Sequence, residues 1–367
     1  MDHTSQQLLF YLVDKGIVPL EAVVDGDIMI ATDRSRHQCF AVMRKHGPSY
    51  FVKQIQDWQP LAAQTLEREA NCYRLVNSNP ALAPLKPLLP RFYTFDEVKK
   101  VLVLELLPDA ENLGVFHRRC NEFPIQVAEQ LGRALGTYHS SAIHPFHQNE
   151  TFPSRLPWIL TFIQDGSASP YGLSNANSEM LGILAKYPEF SIGLARLRDS
   201  WKATTLIHGD MKWENCVVYP RDAALDNLTL NVIDWEIADL GDPLWDVGSV
   251  MQSYLHSWAT SAASSMGDPN SVSTTATIRE VPIGAMRPAL HAFWRAYSSA
   301  MRFSPSEERH ALVASLIYAA ARLLQTTFEH LVSAPSMNPI HVSILQLSSN
   351  IMRKPEVAVD VFLGVSQ

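Results

Sequence analysis

The part of the chain that decides the fold reads Leu206-Ile207-His208-Gly209-Asp210-Met211-Lys212-Trp213-Glu214-Asn215-Cys216. Apolar residues lead into a turn that carries Asp210 and, five positions later, Asn215. A second stretch, Val232-Ile233-Asp234-Trp235-Glu236, places another aspartate after an apolar run. This order is typical of a phosphoryl-transfer site, where one carboxylate takes the proton of the attacking hydroxyl. An amide and a second carboxylate then hold Mg²⁺ against the nucleotide phosphates. The pattern predicts Asp210 as the catalytic base, with Asn215 and Asp234 as metal ligands.

Bulk properties narrow the class of protein. The chain has 367 residues and a formal net charge of −7, so two domains are possible and no nucleic acid or anionic membrane partner is indicated. Its four cysteines show no metal-binding spacing and are typical of reduced thiols in a cytoplasmic protein. No signal peptide is expected, and no apolar run approaches the roughly 20 residues of a membrane span.

The first third of the chain alternates short strand-like runs with turn residues. A helix is predicted over residues 5–15, and strands over 27–32, 39–43 and 49–53 form an antiparallel meander. A helix over 60–77 follows, and then strands over 91–95 and 99–106. This region predicts a small antiparallel sheet with one long helix beside it.

Lys53 ends the third strand-like run. It is either a solvated edge lysine or a lysine that binds the α and β phosphates of a nucleotide. In the second case a glutamate of the next helix would pair with it, and the candidates are Glu67 and Glu69. At the end of the sheet, the backbone of Glu105 and Leu107 is placed to read an adenine edge.

After Pro108 the hydrophobic period becomes helical. We therefore predict an α+β, two-lobed fold. Residues 1–107 form the nucleotide-binding lobe, and residues 108–367 form a mostly helical lobe with the catalytic loop. Helices are predicted over residues 124–140, 157–164, 178–186, 190–202, 291–301, 305–333, 340–352 and 355–362. The small polar stretch 257–277 is interpreted as a disordered insertion or a lid.

His208-Gly209-Asp210 with Asn215 resembles the catalytic loop of the aminoglycoside phosphotransferase/choline kinase family, within the wider protein-kinase-like fold. Asp234 is similar to the metal-binding aspartate of that family. Lys53 is similar to its strand lysine, and Glu69, rather than Glu67, to its helix glutamate. The resemblance extends over most of the chain from Ala22 onward, and it implies ATP and Mg²⁺ as cofactors.

Two further segments carry the same resemblance. Residues 130–139 resemble the helix that precedes the catalytic loop, and residues 241–248 resemble the segment that follows it. The resemblance implies that Asp246 ties a helix to the catalytic-loop backbone. His139 is interpreted as a structural, hydrogen-bonding histidine.

Two features depart from the family pattern. The turn over residues 33–38 has no glycine, so Ser35 and neighbouring N–H groups are the candidates for phosphate binding there. Lys212 is the second departure, since a lysine two residues after the catalytic aspartate resembles protein serine/threonine kinases. Its ammonium either neutralises charge on the transferred phosphoryl group or is a surface group.

The acceptor is left open by the sequence. From Ala285 onward five acidic residues are outnumbered by seven lysines and arginines, which disfavours an aminoglycoside and, more weakly, choline. One hypothesis is a kinase for a hydroxyl of a small molecule or natural-product intermediate. A second is a kinase for serine or threonine of a ribosomal precursor peptide, acting with a partner lyase. The third is a nucleotide-binding pseudokinase or scaffold, which the glycine-free turn favours and the intact set of Asp210, Asn215, Asp234 and Lys53 disfavours.

Overall fold

The computed structural model of the chain describes residues 3–34, 37–55, 59–141, 151–165, 173–220, 228–265 and 283–364. The strands, in chain order, are β1 (Ile28–Arg34), β2 (Gln38–Arg44), β3 (Tyr50–Gln54), β4 (Phe92–Asp96), β5 (Val101–Glu105), β6 (Glu111–Asn112), β7 (Thr205–Ile207), β8 (Cys216–Pro220), β9 (Leu228–Val232) and β10 (Asp239–Gly241). The α-helices are α1 (His3–Asp14), α2 (Leu20–Val24), α3 (Pro60–Ser78), α4 (Leu113–Cys120), α5 (Ile125–Ser141), α6 (Ile159–Asp165), α7 (Asn175–Lys186), α8 (Pro188–Ser200), α9 (Pro243–Ser265), α10 (Ile283–Met301), α11 (Pro305–Leu331), α12 (Pro339–Arg353) and α13 (Pro355–Leu363).

The chain forms two compact units. The first unit consists of Met1–Ala110 together with Tyr219–Ile237, and the second consists of Glu111–Val218 together with Ala238–Gln367. The segment that carries Asp234 therefore belongs to the first unit, although it follows the predicted catalytic loop in sequence. The α+β architecture, with a small antiparallel sheet and a mostly helical remainder, agrees with the predicted fold class.

The first unit is built on a five-stranded antiparallel sheet in the order β1-β2-β3-β5-β4, so the predicted meander is confirmed. Side chains of successive strand residues point to opposite faces. On β3, Val52 lies in a buried apolar cluster with Leu12 and Phe40. Lys53 therefore points to the other face, and its register partners are Cys39 and Leu102.

In the second unit, glycines allow two helices to approach each other closely. A Cβ atom on Gly132 of α5 would lie 2.2 Å from the Phe293 carbonyl oxygen of α10, and one on Gly136 would lie 2.5 Å from the Ala300 methyl group. Only the absence of a side chain permits this distance. The contact fixes the end of α5, which carries His139.

Helix α11 is largely buried within the second unit. By length and composition it could cross a membrane, but 89% of its apolar window is buried inside the protein. A core helix passes the same test, because burial in protein and burial in lipid select similar residues.

The interpretation of residues 257–277 as a loop is wrong for its first part, because α9 continues to Ser265. The small polar residues are accommodated within the helix. Thr260 Oγ1 donates to the His256 carbonyl over 2.9 Å, and Ser261 Oγ donates to the Trp258 carbonyl over 2.8 Å. Residues 266–277 lie outside the described part of the chain. Helix α10 also begins earlier than predicted, at Ile283, and includes Pro288.

Candidate active site

The predicted catalytic loop begins where the short strand β7 ends, and a buried carboxylate holds its backbone. Gly209 has a φ of 82°, a conformation that glycine adopts without strain. The side chain of Asp246 accepts the backbone N–H groups of His208 and Gly209, over 2.7 and 3.0 Å. The anchoring role predicted for Asp246 is therefore present in the structure.

A second layer of hydrogen bonds holds Asp246 itself. His139 is fully buried, and its two ring nitrogens lie 3.3 Å from Asp246 Oδ2 and 3.1 Å from the Tyr297 hydroxyl. The His139 carbonyl accepts from Thr205 Oγ1 over 3.1 Å, at the start of β7. His139 is thus a structural histidine, as the sequence indicated.

Asp210 follows Gly209, and a positively charged side chain contacts each of its carboxylate oxygens. Arg322 Nη2 donates to Oδ1 over 2.7 Å, and Lys212 Nζ lies 2.6 Å from Oδ2. Burial by itself raises the pKa of Asp210, but the charges of Arg322 and Lys212 outweigh it and hold that pKa below its usual range. Asp210 is consequently ionised at neutral pH, as a proton acceptor must be.

The side chain of Asn215 binds Asp210, five residues earlier in the same loop. Its Nδ2 donates to the Asp210 carbonyl over 2.8 Å and lies 3.3 Å from Asp210 Oδ2. Within the described residues its Oδ1 accepts no hydrogen bond, so this oxygen is the group available to a cation. Cys216, directly after it, is buried and starts β8.

In the first unit, Lys53 lies between two carboxylates. Its Nζ is 2.7 Å from Glu69 Oε2 and 2.6 Å from Asp234 Oδ1. The predicted pairing with Glu69 is present, while Glu67 pairs with Lys100 instead. Lys53 is therefore not a solvated edge lysine.

Burial and neighbouring charges of opposite sign have opposite effects on the pKa values of Lys53 and Glu69. Burial would lower the pKa of Lys53, but Glu69 and Asp234 outweigh it and raise that pKa above its usual range. Burial raises the pKa of Glu69 to about 7, although the ammonium of Lys53 opposes the change. Lys53 thus stays charged, which a phosphate-binding group requires.

Asp234 has an unusual backbone conformation. Its φ is 68°, in the left-handed region that residues with a side chain seldom adopt. The next residue, Trp235, is buried, and its indole nitrogen donates to the Val232 carbonyl over 3.2 Å. Strained residues of this kind are concentrated at functional sites, since the surrounding structure must hold them in place.

The predicted nucleotide-binding backbone is only partly described. Ser35 lies outside the described residues. The Glu105 N–H donates to the Arg91 carbonyl over 2.8 Å, and the Leu107 carbonyl accepts from Ala110. Within the described chain the Leu107 N–H makes no hydrogen bond, which leaves it available to an adenine edge.

Sequence reasoning missed two contacts of these clusters. One is Arg322, for which there was a usable signal, because it is the single charged residue between Ala311 and Thr327. A lone charge in an apolar helix needs a partner. The other is a side-chain contact near the predicted phosphate turn, where His37 Nδ1 lies 3.3 Å from Glu236 Oε2. Nothing in the local sequence of His37 indicates that contact.

These donors fit the cofactors that the sequence predicted. Carboxylate and amide oxygens, as in Asp234 and Asn215, are hard ligands of the kind Mg²⁺ prefers. A buried ammonium such as that of Lys53 suits a phosphate as a point charge. The predicted site residues fall into two clusters: Asp210, Lys212 and Asn215 in the second unit, and Lys53, Glu69 and Asp234 in the first.

Comparison with known proteins defines the class. The sequence model of the phosphotransferase enzyme family matches residues 31–270. The chain belongs to this family. The match confirms the predicted phosphotransferase class and the resemblance stated from the motifs.

Solved structures show the same fold. An ethanolamine kinase from Plasmodium vivax has a TM-score of 0.55 at 9% identity, over 98% of this chain and 90% of its own. A choline/ethanolamine kinase family protein from Mesorhizobium loti has a TM-score of 0.52 at 15% identity, over 97% of each chain. An amicoumacin kinase in complex with AMP-PNP, Ca²⁺ and Ami has a TM-score of 0.50 at 10% identity, over 93% of this chain and 95% of its own.

One curated relative matches in sequence. It is acyl-CoA dehydrogenase family member 10 from Mus musculus, 27% identical over 128 residues, or 34% of this chain. The matched part is about 10% of that protein's own length.

Proposed function

We propose that the protein transfers the γ-phosphoryl group of ATP to a hydroxyl group of a small molecule, with Mg²⁺ as the metal ion. The observation that carries the proposal is the environment of Asp210. Its carboxylate follows a backbone anchored by Asp246, and two cations lie on its oxygens. A group held in this way is preorganised to accept a hydroxyl proton.

In the proposed reaction the acceptor oxygen attacks the γ-phosphorus. The bond between that phosphorus and the bridging oxygen of ADP breaks, and the proton of the acceptor passes to Asp210. The lowered pKa of Asp210 makes it a weak base. It therefore orients the hydroxyl first and receives the proton late, which suits the loose transition state of phosphoryl transfer.

The remaining residues hold the nucleotide. Lys53, braced by Glu69, presents a permanent positive charge to the phosphates. Asn215 Oδ1 in the second unit and the carboxylate of Asp234 in the first are each proposed as a ligand of Mg²⁺, which when bound neutralises negative charge on the phosphates. The Leu107 N–H is the proposed contact for the adenine edge.

The relatives guide the choice of acceptors without deciding among them. The structural relatives are named as kinases for ethanolamine, choline/ethanolamine and amicoumacin, and their likeness to this chain is one of fold. A test panel should therefore contain amino alcohols, neutral alcohols, sugars and serine-containing peptides. Peptides belong in it because Lys212 lies on the catalytic aspartate, where protein kinases also have a lysine.

The test is release of ADP from Mg·ATP across this panel, with Asp210→Asn and Asp234→Asn as the variants. Asp210→Asn should lower turnover by at least about a hundredfold, because a positioned base contributes roughly 10²–10⁴ in rate. Asp234→Asn should also lower turnover strongly, because it removes a charged ligand of the proposed Mg²⁺. Asp199→Asn, on the exposed end of α8, is the matched control and should keep full turnover. Near-normal turnover by Asp210→Asn would overturn the assignment. A wild-type protein that binds ATP but uses no acceptor would instead support a scaffold.

A further inference from the structure

Arg322 is a buried arginine whose partner is the catalytic aspartate. It lies on α11, only 2% of the residue is exposed, and its Nη2 donates to Asp210 Oδ1 over 2.7 Å. Its guanidinium carbon is 5.3 Å from the centre of the Trp245 ring. An arginine cannot lose its proton in a protein, so this position carries a permanent charge.

The contact with Trp245 links Arg322 to the backbone of the catalytic loop. The Trp245 indole nitrogen donates to the Gly209 carbonyl over 2.9 Å, directly before Asp210. Arg322 and Trp245 therefore hold both the side chain of Asp210 and the peptide that leads into it. Neither group can move away without opening the core of the second unit.

The two cations on Asp210 differ in their freedom. The side chain of Lys212 is 39% exposed, whereas that of Arg322 is 2% exposed. The ammonium of Lys212 can therefore leave Asp210 and bind an incoming anionic group, while the guanidinium of Arg322 cannot. Within the described residues, Arg322 Nε is buried without a hydrogen-bond partner, so this guanidinium is not fully satisfied by the protein.

This arrangement sets the charge that an acceptor meets. A lone aspartate attracts a positively charged group placed beside the reacting hydroxyl. Here the buried guanidinium of Arg322 already neutralises the charge of Asp210. The partly exposed ammonium of Lys212 then repels a positively charged group on the acceptor. A neutral hydroxyl compound meets no such repulsion.

We propose that Arg322 is a positioning and specificity-determining residue: it fixes Asp210 for the acceptor hydroxyl and selects acceptors that have no positive charge beside that hydroxyl. This inference rests on the proposed phosphoryl transfer. It favours neutral alcohols over quaternary or primary amino alcohols. Lys212 is then released from Asp210 to the transferring phosphoryl group.

The test compares Arg322→Gln and Arg322→Lys with Arg309→Gln, a control on the same helix whose side chain is partly exposed and pairs with Glu356. The acceptors are choline and its neutral carbon isostere 3,3-dimethylbutanol. The wild-type kcat/KM should favour the neutral acceptor, and Arg322→Gln should lower that preference at least tenfold. In the same variant kcat should fall at least a hundredfold while the KM for ATP changes less than threefold. Arg322→Lys should recover at least tenfold of the lost kcat.

Several results would overturn the inference. They are a wild-type preference for choline, an unchanged preference in Arg322→Gln, or an equal loss of ATP affinity. If Arg322→Gln does not fold, the wild-type preference and Arg322→Lys still decide. If the wild type turns over no acceptor, the proposed function fails. The Arg322–Asp210 link is then tested by a double-mutant cycle with Asp210→Asn on unfolding in urea. A coupling of at least tenfold in the unfolding constant is expected, and additive effects would refute the link.

Discussion

Asp246→Ala should destabilise the second unit strongly, because Asp246 is fully buried and holds the backbone of the predicted catalytic loop. The substitution leaves the N–H groups of His208 and Gly209 without an acceptor. In the wild-type protein they donate to Asp246 over 2.7 and 3.0 Å. Each buried donor without a partner costs about 1–3 kcal/mol, so the two together cost roughly 4 kcal/mol. The nearby ring nitrogen of His139, at 3.3 Å, adds to this loss.

The assay is thermal unfolding followed by circular dichroism. For a unit of this size, 1 kcal/mol lowers the Tm by about 2–4 °C, so a decrease of roughly 8–16 °C is expected. Asp246→Asn keeps one acceptor oxygen and should lose about half as much. Asp199→Ala is the control, because its side chain is 70% exposed and its effect should stay within about 0.5 kcal/mol. A Tm for Asp246→Ala within 2 °C of the control would refute the anchoring role.

Three further predictions concern packing, charge and pH. Gly132→Val should destabilise the second unit by about 1–3 kcal/mol, since its Cβ would lie 2.2 Å from a backbone oxygen of α10. Glu69→Gln should cost roughly 1–3 kcal/mol by weakening the partner set of a buried ammonium, while Glu67→Gln stays within about 0.5 kcal/mol. Burial lowers the pKa of His117 to about 4 from 6.5, so the unfolded state binds more protons between these pH values. The unfolding free energy therefore decreases as pH falls through this window, and His117→Phe should remove about 2 kcal/mol of that decrease at pH 5.

Urea unfolding measures all three, and each has an outcome that contradicts it. Gly182→Val is the control for packing, since a Cβ there meets nothing within 4 Å, and equal losses at Gly182 and Gly132 would disprove the close approach of α5 and α10. Equal effects of the two glutamate variants would show that Lys53 does not depend on Glu69. The exposed His310 is the control for pH, and His117→Phe should differ from His310→Gln in its pH dependence.

Much of the fold followed from local patterns. Short apolar runs bounded by turn residues predicted β1 to β3 within about two residues, and helical periodicity predicted α3, α11 and α12. These signals are local, because alternation on a strand and spacing on a helix directly reflect which face is buried. Composition was a poorer guide at residues 257–265, where small polar residues predicted a loop. Thr260 and Ser261 donate to carbonyls of the helix backbone instead, so a small polar composition does not exclude a helix.

The sequence by itself determined the chemical class, since Asp210, Asn215 and Asp234 occur at spacings that few other sites require. Tertiary structure decided which groups these residues meet. It paired Lys53 with Glu69 and left Glu67 to Lys100, a choice that depends on which helix face lies over the sheet. It also placed Arg322 on Asp210 from 112 positions away. Such a contact is set by the packing of α11 against its neighbours, and no local pattern around Asp210 contains it.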